Sequence, residues 1–316
     1  MSETIDRSVP GSASASPGPA GRPGRSSLAA QKTRARRLFI FPLALLLGVL
    51  TIIPTAYILI VSLTNAASTN RSTTFVWFQN YIDMFSNPDY WSVTLRTVVF
   101  VLIAVALQLA IGLGVAVATN GLRRGGSLVR ALILLPMAAA PIATYFNWQQ
   151  LLNASYGPID YVLRSVGLPA PDWLGRVNLA LPTLIVVDTW QWTPFVFIIL
   201  AGGLATIPSD LLEAASVDGA TGWQRFLHIT VPLLLPYIAV AVLFRAIDAL
   251  KTFDSVQILT SGGPGSSTTM MNYSIYQQGI SFLQFGKASA SAVVFLVICI
   301  LLANVLLRGL TRAEKK

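Results

Sequence analysis

The sequence predicts an all-α integral membrane protein with six transmembrane helices, and three observations carry that prediction. Of the 316 residues, 54% are hydrophobic and only 11% are charged. A soluble domain carries about 25% charged residues, so this chain cannot wet the surface of a water-soluble globule of its size. Six stretches are apolar over the ~20 residues that a helix needs to cross the hydrocarbon core. Lys and Arg concentrate on one set of alternating connections, the bias that orients membrane proteins. The apolar content excludes a disordered chain. One Cys excludes a disulfide framework and a Cys-based zinc site. One His excludes a His-rich metal centre. The apolar runs are continuous rather than alternating, which argues against a β-barrel.

The elements follow in order. Residues 1–34 are expected to be a disordered cytosolic tail: fifteen of the first 31 are Gly, Pro or Ser, and none is aromatic. It does not read as a cleaved signal, because the apolar run that follows is late and too long. Residues 35–312 form the six-helix membrane domain. The first span, Leu38–Leu63, has no charge in 26 residues. The second, near Thr97–Ala118, is uncharged with one Gln. The third, near Ala131–Leu152, ends in a polar aromatic cluster. The fourth, near Val177–Leu204, carries one charge, Asp188. The fifth starts near Leu233 and meets its first charge at Arg245. The sixth is Ala288–Leu307.

With the N-terminus inside, the internal segments hold Lys32, Arg34, Arg36, Arg37, Arg123, Arg124, Arg130, Arg225, Arg308, Arg312, Lys315 and Lys316. The external ones hold Arg71, Arg164, Arg176 and Lys287, with Lys251 near a helix end. Both termini are therefore expected in the cytosol. The net charge of +9 is a topology signal spread over four segments, which speaks against nucleic-acid binding.

The cytosolic connection 207–232 is far longer than the usual ~4–6 residues and carries structure of its own. Ser209 is a candidate N-cap after Pro208, and Leu211, Leu212 and Ala215 give an apolar stripe. Asp218-Gly219 is a turn signal. Trp223, Phe226 and Leu227 stand at helical spacing, and Pro232 marks the expected start of the fifth span. This helix–turn–helix knob suits a docking element set into a groove on another protein. The other reading, a helix lying on the membrane surface, fits poorly with Asp210, Glu213 and Asp218 beside anionic lipid.

Glu213-Ala214-Ala215, Asp218-Gly219-Ala220, Phe226, Ile229 and Val231-Pro232 resemble the EAA loop of ATP-binding-cassette importer permeases, with Val231 where that family usually has Leu. Phe244-Arg-Ala-Ile-Asp-Ala-Leu-Lys-Thr-Phe-Asp254, Leu259-Thr-Ser-Gly-Gly-Pro264, Ile275-Tyr276 and Ala288-Ser-Ala290 are similar to the carbohydrate branch related to maltose and glycerol-phosphate permeases. Phe75-Val-Trp-Phe-Gln-Asn-Tyr81 fits as well. The resemblance covers nearly all of residues 35–310. It implies a MetI-like, type I importer fold in a bacterial plasma membrane and a second permease subunit, with a heterodimer expected. It also implies two cytosolic ATPase subunits that grip the EAA loops, an extracytoplasmic solute-binding protein and a carbohydrate substrate. On that resemblance Glu213, Ala214, Ala215, Asp218, Gly219, Phe226 and Pro232 couple to the ATPase. Two short rods joined at Gly219 and clamped by Pro208 and Pro232 make a lever, and the two alanines permit close approach. The chain has no G-x-x-x-x-G-K-[ST] segment, so no cofactor is expected here and ATP belongs to the partners.

A charge at the bilayer centre costs about 2.5–3.5 kcal/mol on insertion scales, so polar groups in the spans face a cavity or a protein interface. Asn147, Trp148, Asp188, Trp190, Gln191, Trp192, Arg245 and Asp248 are the candidates for the substrate path. Aromatic faces suit sugar C–H surfaces, and amides and carboxylates suit hydroxyls. An interfacial aromatic belt is the alternative for the tryptophans, and an even one for Trp148. Arg245, Asp248, Lys251 and Asp254 are spaced by three and can pair as neighbours. A structural ion-pair ladder competes there with substrate contact, and because steps of three rotate around a helix, all four are not expected to line one pore. Gly112, Gly114, Ala116 and Ala118 read as helix packing, and Pro136, Pro141 and Pro194 as possible helix breaks. His228 reads as a surface residue and Cys299 as packing.

The rival function is an ion-coupled secondary transporter using Asp188 and the four charges of the fifth span. The spans show no internal repeat, which argues against it. A membrane-embedded hydrolase lacks a nucleophile–base pair, and no enzyme activity is expected.

Overall fold

The computed structural model describes residues 25–70, 72–122 and 126–313. Residues 1–24 of the expected tail, and the topology cations Arg71, Arg123, Arg124, Lys315 and Lys316, lie outside the described residues. The regular elements of the described chain are helices: α1 Arg25–Ser62, α2 Gln79–Ser86, α3 Pro88–Asn120, α4 Gly126–Ala138, α5 Pro141–Leu151, α6 Pro158–Ser165, α7 Val177–Leu204, α8 Ser209–Val217, α9 Gly222–Arg225, α10 Val231–Leu250, α11 Asp254–Leu259, α12 Met271–Tyr276 and α13 Phe285–Ala313. Single π turns occupy Phe226–Thr230 and Gln277–Ser281. Among the described residues no strand forms; one antiparallel bridge joins Thr64 to Phe75.

Two compact units divide the chain, Met1–Ala56 and Tyr57–Lys316. The first, as far as it is described, is a single helix, the larger part of α1. The described part of that helix runs from Arg25, so Arg25–Arg34 belong to α1. Leu28, Ala29, Ala30, Gln31, Lys32 and Arg34 are all strong helix formers, which outweighs the Ser residues beside them. Its stretch of membrane-crossing length is Ile40–Ser62.

The second unit holds the other spans. Pro88–Asn120, Val177–Leu204, Gly222–Leu250 and Phe285–Gly309 are each long and apolar enough to cross. The second span begins nine residues before Thr97. Asn87 caps it by accepting the Asp89 N–H at 2.9 Å, with Pro88 at the first turn.

The third expected span is not one helix. It is the pair α4 and α5, bent by 91°. The cause is local. The residue before a proline is pushed out of the helical region, and Ala140 before Pro141 adopts φ −60°, ψ 127°. Pro136 and Pro194, the other candidate breaks, remain inside α4 and α7.

The fifth span also departs from expectation. Pro232 does not separate a loop helix from a membrane helix. From Gly222 to Leu250 the backbone is helical over 29 residues, through α9, the π turn and α10. A proline ring clashes with the carbonyl four residues back in a regular helix. The π turn just before it, where the Val231 N–H reaches the Phe226 carbonyl, widens the backbone there and lets the helix continue.

The core lies between α3, α7 and α10. One cluster gathers Phe100, Ala104, Leu184, Val187, Ala249 and Val256; a second gathers Ala116, Val196, Phe197, Leu200, Leu234 and Ala241. The small residues of α3 divide between its faces. Gly112 and Ala116 are buried, while Gly114 and Ala118 are exposed. A Cβ on Gly112 would stand 2.9 Å from Val196 Cγ1 and 3.3 Å from the Phe197 amide nitrogen, whereas one on Gly114 would meet nothing. Gly112→Ala is therefore expected to lower stability by about 1–3 kcal/mol, the cost of overpacking. Gly114→Ala should raise it by about 0.5–1 kcal/mol through helix propensity. Thermal unfolding of the two variants in detergent checks the opposite signs.

Candidate functional site

The centre of the second unit is a buried polar cluster in an apolar surround. Arg245 on α10 is 1% exposed, Asp188 on α7 is 1% exposed and Gln108 on α3 is fully buried. Arg245 Nη2 donates to Asp188 Oδ2 at 2.9 Å and Nε to Gln108 Oε1 at 2.7 Å, while Nη1 pairs with Asp248. The Gln108 amide closes the ring by donating to Asp188 Oδ2 at 2.9 Å. The Trp192 ring lies against the guanidinium, 5.1 Å from centroid to Cζ. Each nitrogen of the arginine thus finds an acceptor, the condition for a buried charge to be tolerated.

Gln108 escaped the sequence reading. A single amide in an apolar run carries no pattern of its own. The signal available was indirect: two lone charges, Asp188 and Arg245, on neighbouring spans need a neutral partner for their remaining hydrogen-bonding groups.

Beside this cluster lies a cavity of about 120 Å³ lined by Pro141, Tyr145, Asp188, Trp192, Asp248, Lys251, Thr252, Phe253 and Asp254. Three of the candidates for the path, Asp188, Trp192 and Asp248, meet there, and Tyr145, Lys251 and Asp254 join them. The charge ladder is not what assembles it. Helix α10 ends at Leu250, so Lys251 is its cap and Asp254 opens α11. The turn between them brings Lys251 and Asp254 to the cavity that Asp248 lines from α10, while Arg245 points back into the helix interface. Among the described residues no ion pair joins Lys251 to Asp248 or to Asp254; of the three expected pairs only Arg245–Asp248 forms.

The remaining candidates serve other contacts. Gln191 donates to the Pro136 carbonyl at 2.8 Å, repairing the backbone near the α4–α5 break. Trp190 packs edge-on against Trp148, centroids 5.4 Å apart. Asn147 is exposed. These four do not line the cavity.

The loop between α7 and α10 is the second feature. The cap of α8 is Pro208 rather than Ser209, whose hydroxyl makes no capping bond. Asp218 ends α8, and Gly219 takes φ +80°, a left-handed turn that glycine accepts without strain. A capping box starts α9: Thr221 accepts the Gln224 N–H and the Gln224 side chain accepts the Thr221 N–H at 2.8 Å. Arg225 ties the two rods, donating to Ser216 Oγ and to the Leu212 carbonyl. Phe226 stacks on Trp223 at 5.4 Å. Glu213, Ala214 and Asp218 are exposed, as are Leu211, Val217 and Trp223, so an apolar and acidic surface faces outward. Pro232 does not clamp the far end of this knob, because the second rod runs on into α10.

Comparison with known proteins places these features in context. The family model described as "Binding-protein-dependent transport system inner membrane component" matches residues 108–314. The chain is 34% identical over 276 residues to the trehalose/maltose transport system permease protein MalF of Thermococcus litoralis, covering 86% of this chain and 92% of that one. It is 36% identical over 275 residues to the sulfoquinovosyl glycerol transport system permease protein SmoG of Agrobacterium fabrum, covering 86% and 88%. The fold is similar to a chain in the crystal structure of a bacterial alginate ABC transporter bound to a pentasaccharide-loaded periplasmic protein. That match has a TM-score of 0.76 at 19% identity and covers 88% of this chain and 94% of that one.

Arg245→Met would leave Asp188 buried and unpaired, and is expected to cost about 3–5 kcal/mol. The Asp248 side chain is 49% exposed, so Asp248→Asn should cost no more than about 1 kcal/mol. Unfolding midpoints of the two purified variants, compared in one detergent, check the contrast.

Proposed function

The chain belongs to the binding-protein-dependent transport system inner membrane component family, and from that membership we propose that it is the membrane-spanning subunit of an ATP-driven carbohydrate importer. One observation carries the mechanism. The exposed loop and the cavity share a single helical run, Gly222–Leu250, with Trp223 and Phe226 at one end and Asp248 at the other. Force applied to the loop by a partner ATPase moves the wall of the cavity without an intervening hinge.

The parts divide as follows. Glu213, Ala214, Ala215, Asp218, Gly219 and Phe226 form the face that sits in the ATPase cleft. Asp248, Lys251 and Asp254 offer hydroxyl partners to a sugar, with Tyr145, Trp192 and Phe253 as apolar faces. The cavity is one half of the path; a second, similar permease supplies the other half, in a heterodimer. Two ATPases bind the paired loops, and an extracytoplasmic binding protein delivers the sugar. The names of the relatives, which include a trehalose/maltose permease, support a saccharide substrate. Both termini and the 207–232 loop lie in the cytosol, in keeping with the Lys/Arg bias. The family and the names of the relatives favour this reading over the ion-coupled alternative, and Asp188 and Arg245 are already paired with each other and bonded to Gln108.

In proteoliposomes holding the assembled transporter, sugar uptake should stop when ATP is withheld and persist when the proton gradient is collapsed. Uptake driven by a proton gradient without ATP would overturn the reading. Gly219→Pro forbids the positive φ of the turn and should abolish copurification of the ATPase. Asp248→Ala should retain the ATPase while uptake falls at least about tenfold, the order expected when about 1.4 kcal/mol of substrate interaction is lost.

A further inference from the structure

The segment Leu259–Pro264 has no part in the proposed mechanism, yet it lines a polar cavity of the second unit. That cavity measures about 630 Å³ and is lined by Gln149, Gln150, Asn153, Tyr156, Asp172 and Ser261, among others. Two elements join it to the smaller one. On α5, Pro141 and Tyr145 line the small cavity, and Gln149 and Gln150 line the large one. On α11, Asp254 lines the small cavity, and Leu259 at the other end lines the large one. The two elements are fastened by Gln149 Nε2 donating to the Ile258 carbonyl at 2.5 Å. At 1.5 Å of rise per residue, the two cavities are stacked about 8 Å apart along these helices.

The wall is stiff. Thr268 Oγ1 donates to the Gly263 carbonyl at 2.8 Å, Thr269 Oγ1 to the Gly262 carbonyl at 3.1 Å, and the Gly263 N–H to the Thr260 carbonyl at 2.9 Å. Gly262 takes φ +81°, and a Cβ there would stand 2.6 Å from the Tyr273 ring. Only glycine fits that position.

The lining presents donors and acceptors side by side. Gln150 accepts the Tyr156 hydroxyl at 2.8 Å, Asn153 Oδ1 accepts the Ser155 N–H at 2.9 Å, and Asp172 Oδ1 accepts the Gly175 N–H at 2.8 Å. Those bonds orient the side chains and leave Gln150 Nε2 and Asn153 Nδ2 as donors and Gln149 Oε1 and Asp172 Oδ2 as acceptors. Vicinal hydroxyls, each both donor and acceptor, match that alternation. Among the described residues no Lys or Arg lines the cavity. Arg164 is turned to the Ala154 carbonyl at 3.1 Å and to Asp160 at 3.9 Å. Among the described lining residues Asp172 is the one charged group, a carboxylate, which disfavours anionic solutes. The volume lies within the ~300–1,000 Å³ of small-molecule sites.

We propose that this cavity is a separate saccharide station, which holds a neutral sugar by its hydroxyls before the sugar passes along α5 and α11 to the smaller cavity. The proposal rests on the carbohydrate-importer reading, and its test reads occupancy without ATP. Ser155 is exposed on the rim. The sole cysteine of this chain is Cys299, so Ser155→Cys in a Cys299→Ser background, with partner subunits stripped of cysteine, gives one accessible thiol. The assembled transporter, in proteoliposomes without nucleotide or binding protein, is labelled with a membrane-impermeant maleimide. Maltose and trehalose serve as neutral probes and glycerol 3-phosphate as the anionic one.

The expected result is that a neutral disaccharide slows labelling about threefold at twice its dissociation constant, following the free fraction 1/(1 + [L]/Kd), and that glycerol 3-phosphate does not. Gln150→Ala should raise the half-protecting concentration several-fold, whereas Asp248→Ala, in the other cavity, should leave it unchanged. No protection by either disaccharide, or equal protection by glycerol 3-phosphate, overturns the proposal. So does a half-protecting concentration that responds to Asp248→Ala and not to Gln150→Ala. Failure of ATP-dependent uptake with protection intact would instead count against the transporter reading alone.

Discussion

A guanidinium buried in the middle of apolar helices must have acceptors for its nitrogens, and that requirement organises this molecule. Arg245 draws Asp188 from α7 and Gln108 from α3 to itself. Removing any one of them would strand a buried polar group, which costs more than the pair contributes when complete. The three helices are therefore held in one relative position by chemistry as well as by shape, with Gly112 letting α3 approach α7 one turn away. Asp248, on the same helix and bonded to the same arginine, is oriented from behind while its outer side remains half exposed to the cavity.

That arrangement gives meaning to the continuity of the fifth span. A lever hinged at Pro232 would leave the cavity wall behind when the loop moved. The π turn at Phe226–Thr230 absorbs the proline and keeps the loop rod and the membrane helix in one piece. On the proposed reading, closure of the ATPases against Glu213 and Trp223 is then carried along α10 to Asp248, and Arg245 passes the same displacement to α3 and α7.

Much of this was legible in the sequence. Continuous apolar runs located the spans, Val177–Leu204 to the residue, because lipid and a buried core both demand unbroken hydrophobicity over the helix length. Asp218-Gly219 was readable as the loop turn because the backbone there needs a positive φ. Other features were hidden for physical reasons. The 91° bend between α4 and α5 depends on which of three prolines breaks a helix, and composition does not tell them apart: Ala140 before Pro141 leaves the helical region, while Pro136 and Pro194 stay inside helices. Pro232 reads as a helix start whether or not a π turn precedes it. Lys251 and Asp254 reach the cavity only because α10 stops at Leu250, a boundary that the spacing of three concealed. Gln108 was visible as a residue but not as a partner, since its role exists only once α3 lies against α7 and α10.

The central claim, that loop and cavity wall move as one body, is tested most directly by a distance within the proposed rod. Spin labels at Trp223→Cys and Ile247→Cys, with Cys299→Ser, lie on the order of 36 Å apart at 1.5 Å per residue. They can be measured in the assembled transporter before and after the ATPases are closed with a non-hydrolysable nucleotide. The account predicts one unchanged, narrow distance in both states. A shift of several ångströms, or a broad distribution in either state, would place a hinge inside the rod and contradict it.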